Sequence, residues 1–84
     1  MQKNENMYST SNLSLAATIN LFTPLYGIEG VAGEKRSSFL FQREIGLDEL
    51  IQGFQDGSLR IPPQAYFTSL KIIKDRLYSN ERNE

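Results

Sequence analysis

The chain predicts an α+β fold: a small antiparallel sheet, formed by a hairpin and a short N-terminal strand, packed against three helices in the order β-α-β-β-α-α. Three observations carry this. Residues 25–43, LYGIEGVAGEKRSSFLFQR, read as a β-hairpin. Leu47, Leu50, Ile51 and Phe54 recur at i, i+3, i+4 and i+7, the spacing of one helix face. Tyr66, Leu70, Ile73 and Leu77 repeat that spacing after Pro62-Pro63. A two-stranded hairpin is marginal in water. It must lie on helices and gain a further strand, from its own chain or from a partner.

The elements follow in order. Residues 1–6 are polar and read as a disordered tail. Tyr8-Ser9-Thr10 supplies the short first strand. Thr10 or Ser11 offers a capping hydroxyl for a helix from about Asn12 to Phe22. Its apolar residues lie on nearly all sides, so this helix is expected to be buried on more than one face. Thr23-Pro24 ends it, because the residue before Pro disfavours the α region. The hairpin then runs from Leu25 to Ala32, turns at Gly33-Glu34-Lys35 and returns from Arg36 to Arg43. Alternation along the second strand puts Phe39 and Phe41 on one face and Arg36, Ser38, Leu40 and Gln42 on the other. That is the pattern of a sheet covered on one side. The second helix is expected from Leu47 to about Gln55, with Asp48 and Glu49 in a first turn whose dipole favours acids. Asp56-Gly57 ends it with a left-handed glycine cap. Leu59-Arg60-Ile61 is an extended link. Pro62-Pro63 opens the third helix, since Pro suits the first helical position. That helix is expected to reach about Tyr78, before a polar tail. The expected core is Leu13, Ala16, Ala17, Phe39, Phe41, Leu50, Ile51, Phe54, Tyr66, Leu70 and Ile73.

The 84 residues amount to one domain, taken as residues 7–79 between polar tails at 1–6 and 80–84. Five Phe and four Tyr help to fill a small core. Small domains bury a smaller share of their surface, so self-association as a homodimer is expected. With no Cys there is no disulfide framework. The opening residues lack the apolar core of a signal peptide, and no apolar run would span a bilayer. A cytoplasmic setting without membrane association is the expectation.

The absence of His and Cys removes the usual general base, thiol nucleophile and transition-metal ligands. Asp48 and Glu49 are adjacent and diverge on a helix, so they read as a solvated first turn rather than a catalytic pair. Gly27, Gly30 and Gly33 lack the spacing and the Lys-Ser/Thr of a phosphate loop. They read as glycines in a bent or bulged strand. No catalytic residue, metal site or cofactor is expected, and the chain is read as non-enzymatic.

The remaining candidates are cations. Lys35, Arg36 and Arg43 flank Phe39-Leu40-Phe41, and bases interleaved with aromatics can follow a nucleic-acid backbone while stacking bases. The alternative is that the two Phe enter the core while the charges solvate an edge strand. On the third helix Phe67, Lys71, Lys74 and Tyr78 share a face that would extend the basic surface. Asp75, four residues after Lys71, can pair with it and mute the charge. The net charge of -1 gives no bulk attraction to nucleic acid.

The chain also resembles a group of short bacterial domains of unknown function. The resemblance runs through Tyr8-Ser-Thr-Ser-Asn-Leu-Ser-Leu-Ala-Ala17, Phe39-Leu-Phe41, Leu50-Ile-Gln-Gly-Phe-Gln-Asp-Gly57, Ile61-Pro-Pro-Gln-Ala-Tyr-Phe67 and Leu70-Lys-Ile-Ile-Lys-Asp-Arg-Leu-Tyr78. It spans about residues 8–78. It implies a compact α+β fold in a bacterial or mobile-element setting, and no activity. The expected function is a small binding protein that meets nucleic acid through Lys35, Arg36, Arg43, Lys71 and Lys74. The rival is a protein-interaction module, a regulator or inhibitor, binding through the hairpin edge or a helix surface.

Overall fold

The computed structural model describes residues 6–30 and 37–82, with side chains through Ser79. It carries the expected order: β1 (Met7–Thr10), α1 (Leu13–Asn20), β2 (Gly27–Gly30), β3 (Ser37–Gln42), α2 (Leu47–Asp56) and α3 (Pro63–Arg82). The sheet is antiparallel in the order β1-β3-β2. The chain thus supplies its own third strand, and β3 is central. The expectation of an edge strand solvated by its charges is corrected: β1 and β2 cover both sides of β3.

Register decides the faces. Tyr8 stands opposite Phe41, and Thr10 and Ile28 both stand opposite Phe39. Paired residues share a face, so these side chains form the inner surface. Phe39 and Phe41 are buried there against α1 and Ile73 of α3. Met7, Ser9, Gly27, Glu29, Ser38, Leu40 and Gln42 belong to the opposite face.

Helix α1 lies at the centre of the helical layer, and both α2 and α3 pack on it. Five consecutive residues, Leu15 to Ile19, are buried. This is why its apolar residues cover several sides. The observed core adds Leu15, Ile19, Leu25 and Leu47 to those expected. Leu13, Leu50, Ile51, Phe54, Tyr66 and Leu70 are partly buried around it.

Capping accounts for the helix ends. Asn12, not Thr10 or Ser11, is the N-cap of α1: its Oδ1 accepts the Leu15 N–H at 3.2 Å. Thr10 belongs to β1, and its hydroxyl accepts the Asn12 N–H at 3.1 Å. α1 stops at Asn20, two residues before the expected end. Leu21 and Phe22 N–H groups donate to the carbonyls three residues back, which tightens the last turn. The Asn20 Oδ1 then accepts the Leu25 N–H at 3.1 Å, turning Leu25 into the core rather than into β2.

Gly46 at φ 95 and Gly57 at φ 79 bracket α2 in the left-handed region, where a side chain is disfavoured. Pro62 caps α3, its carbonyl accepting the Tyr66 N–H at 3.1 Å. α3 runs one turn past the expected end at Tyr78, so backbone expected in the polar tail is helical to Arg82. The expected turn at Gly33-Glu34-Lys35 lies outside the described residues.

A polar tie joins α1 to α3. The Ser69 hydroxyl donates to the Ala17 carbonyl at 2.6 Å and accepts from the Asn20 side-chain amide at 3.0 Å. Ser69 is buried, so these bonds satisfy groups that water does not reach.

Candidate interaction surface

Of the cations expected to form one basic surface, the described ones divide, with Arg43 apart from Lys71 and Lys74. Lys35 and Arg36 lie outside the described residues. Arg43 follows β3, and its N–H donates to the Asn6 carbonyl at 2.8 Å. Its guanidinium lies 3.2 Å from the Asp48 carboxylate and 5.4 Å from the centre of the Tyr8 ring. Its charge is matched and one face of its plane covers an aromatic ring. It stands on the β1 side of the molecule. Lys71 and Lys74 stand on α3, which packs on α1 and β2. Phe39 and Phe41 are buried and offer no stacking platform.

The second stripe is placed as expected. Phe67 is 64% exposed and Tyr78 51%, with Lys71 exposed and Lys74 half-buried between them. Among the described residues the Arg43–Asp48 contact is the one ion pair. The expected pairing of Lys71 with Asp75 is therefore not made.

A feature that sequence periodicity does not reveal lies beside this stripe. α2 and α3 both rest on α1, and a groove of about 410 Å³ separates them. Gly53, Phe54 and Gly57 form its α2 wall, and Pro63, Tyr66 and Phe67 its α3 wall. Thr18 of α1 forms the floor, with its hydroxyl donated to the Ser14 carbonyl at 2.9 Å. Leu59 and Ile61 of the link close one end. The link reaches this position because Gly57 reverses the chain, sending the Ser58 and Leu59 N–H groups back to the Gly53 carbonyl. Most of the lining is apolar. Tyr66 and Phe67 meet edge to face at 5.9 Å between ring centres.

On the far side of Gly53 the surface changes character. Asp48, Glu49, Gln52, Asp56 and Ser58 line a shallow recess of about 290 Å³. Hydrogen bonds from the Ser58 side chain and backbone hold the Asp56 carboxyl below its ordinary pKa. The Ser58 N–H donates to Asp56 Oδ1 at 2.9 Å. The acids do not converge: among the described residues no group of three or more metal-capable side chains comes together.

The helix surface named in the rival expectation is thus a groove with a shape. The hairpin edge is more limited. β1 already occupies one side of β3, so a further strand could join only outside β1 or β2. The Arg43-to-Asn6 bond sets the alternation along β1 and leaves the Met7 and Ser9 backbone groups facing outward. Among the described residues no helix is long and apolar enough to cross a membrane. No family model, curated protein or solved structure matches the chain, so its surface alone carries the functional argument.

Proposed function

We propose that the chain is a non-enzymatic protein-interaction module whose contact surface is the groove between α2 and α3. The observation that carries this is Phe67. A large aromatic ring stands mostly in solvent at the lip of an apolar groove, although rings of the same size, Phe39 and Phe41, are buried in the core. Apolar surface gains about 25 cal/mol per Å² when water is removed from it. Contiguous exposed apolar patches on small soluble domains mark association sites. Aromatic residues beside a pocket are the usual anchors of such sites.

The test is native purification of the chain and its Phe67→Glu variant after nuclease treatment. The reading expects a stoichiometric protein partner with the unaltered chain and its loss with the folded variant. Retention of every partner by Phe67→Glu would exclude the groove.

One observation favours the nucleic-acid reading. Lys71 and Lys74 have no ion-pair partner among the described residues and stand between two exposed aromatic rings. Two cations with stacking platforms at either end suit a single strand. Arg43 would add to this surface only from the β1 side of the molecule. This reading expects binding to a labelled single-stranded oligonucleotide that weakens with salt and disappears in the Lys71→Glu/Lys74→Glu double variant. Binding unchanged by that double variant would remove it.

A further inference from the structure

The two helices that wall the groove differ in exposed charge, with acids on α2 and a pair of lysines on α3. Across Gly53, the α2 lip carries Glu49 and Asp56, both exposed and neither in an ion pair among the described residues. The third acid of that lip, Asp48, is held by Arg43. On α3, Lys71 and Lys74 follow Phe67 one and two turns along the same helix face. The apolar walls and the protruding Phe67 ring belong to the same two helices.

This arrangement constrains the occupant. A groove for a partner of one charge needs lips of the other charge only. A patch with an acidic lip, an apolar centre and a basic lip is complementary to its own two-fold image. Rotation by half a turn about an axis through the centre lays each acidic lip on a basic one. Two-fold interfaces are built from one self-complementary patch in this way. The room is adequate: a dry cavity of about 150 Å³ already accepts benzene, and the groove is larger.

We propose that the occupant is a second copy of this chain. The Phe67 ring of each protomer enters the groove of the other, and Glu49 and Asp56 of one protomer face Lys71 and Lys74 of its partner. This rests on the reading of the groove as the contact surface, and it names the partner.

The experiment is sedimentation equilibrium of the purified chain across the micromolar range, with circular dichroism to verify folding. The wild type is expected to follow a monomer–dimer equilibrium. Phe67→Glu is expected to be a folded monomer. Two charge-altered variants supply a second line. Lys71→Glu/Lys74→Glu makes both lips acidic. Glu49→Lys/Asp56→Asn weakens the acidic lip and inverts the charge at position 49, while the amide oxygen introduced by Asp56→Asn keeps an acceptor for the Ser58 N–H. Each alone is expected to dimerise at least about tenfold more weakly, equivalent to about 1.4 kcal/mol. An equimolar mixture is expected to recover the association as a heterodimer, because each altered lip then meets its complement.

A wild-type chain that stays monomeric throughout overturns the proposal, as does a mixture that fails to recover association. Failure of the proposal is separable from failure of the groove reading. A monomer that still captures a protein through Phe67 loses only the second copy. A dimer indifferent to Phe67→Glu loses both.

Discussion

Removing the Ser69 hydroxyl should destabilise the fold by about 2 kcal/mol. The substitution is Ser69→Ala, and the magnitude follows from its two bonds. The hydroxyl donates to the Ala17 carbonyl at 2.6 Å and accepts from the Asn20 amide at 3.0 Å. Each such bond is worth about 1 kcal/mol net, and leaving a buried partner unsatisfied costs about 1–3 kcal/mol. Ser69 is 2% exposed, so water does not replace it cheaply. A chain of this length is held by about 4–13 kcal/mol. A loss of about 2 kcal/mol should lower Tm by about 8–16 °C. Asn20→Ala should cost a similar amount, because it also strips the acceptor from the Leu25 N–H. The double variant should cost less than the sum by about 1 kcal/mol, since both single changes remove the same Asn20–Ser69 bond. Urea denaturation of the four proteins measures this, with Thr68→Ala, an exposed neighbour, as a control within about 0.5 kcal/mol of wild type. Single variants within about 0.5 kcal/mol of wild type, or strict additivity, would refute the tie between α1 and α3.

Three further outcomes are expected. Phe41→Ala should cost about 3–5 kcal/mol in denaturant titrations, since the ring is fully buried, while Phe67→Ala should stay within about 0.5 kcal/mol; equal losses would place Phe67 in the core. Gly46→Ala should cost about 1–2 kcal/mol because Gly46 sits at φ 95, whereas Gly27→Ala, with equally open space around a Cβ and no left-handed backbone, should cost less; the comparison isolates backbone strain from crowding. The pKa of Asp56 is lowered in the fold from 3.8, chiefly by its Ser58 hydrogen bonds, so its contribution is fully present above the unfolded pKa and disappears as pH falls through the folded one. The stability gap between wild type and Asp56→Ala, read from urea midpoints across pH, should therefore be full at neutral pH and close in acid. A gap that widens in acid would reverse the assignment.

Much of the architecture is legible because local rules suffice for it. Phe39 and Phe41 alternate with Ser38, Leu40 and Gln42, and that period puts the two rings together on one face of the strand. The Leu47-Leu50-Ile51-Phe54 stripe and the Gly57 cap define α2 within a short stretch of chain. Pro63 announces the start of α3. Where neighbours decide, local rules fall short. Ser11, Thr10 and Asn12 are all competent caps for α1. The choice of Asn12 follows from Thr10 being drawn into β1 by its pairing with Phe39. Leu15, Ile19 and Leu25 are no more apolar than Leu13, and only the packing of α2 and α3 on α1 selects them for the core.

The candidate surface divides along the same line. The Phe67-Lys71-Lys74-Tyr78 stripe depends on helical spacing within one element and could be written from the sequence. The meeting of Arg43 with Asp48 and Tyr8 joins three elements, and it takes away a cation that spacing had left free. The groove exists only because α2 and α3 rest on α1 while Gly57 turns the link across its end. By itself the sequence determined the order of elements, the shared face of the Phe pair and the basic face of α3, since each is set by the periodicity or capping of a single segment. The tertiary structure alone decided that β3 is central, that Ser69 ties α3 to α1, and that an apolar groove lies between α2 and α3, since these depend on groups brought together from elements far apart in the chain.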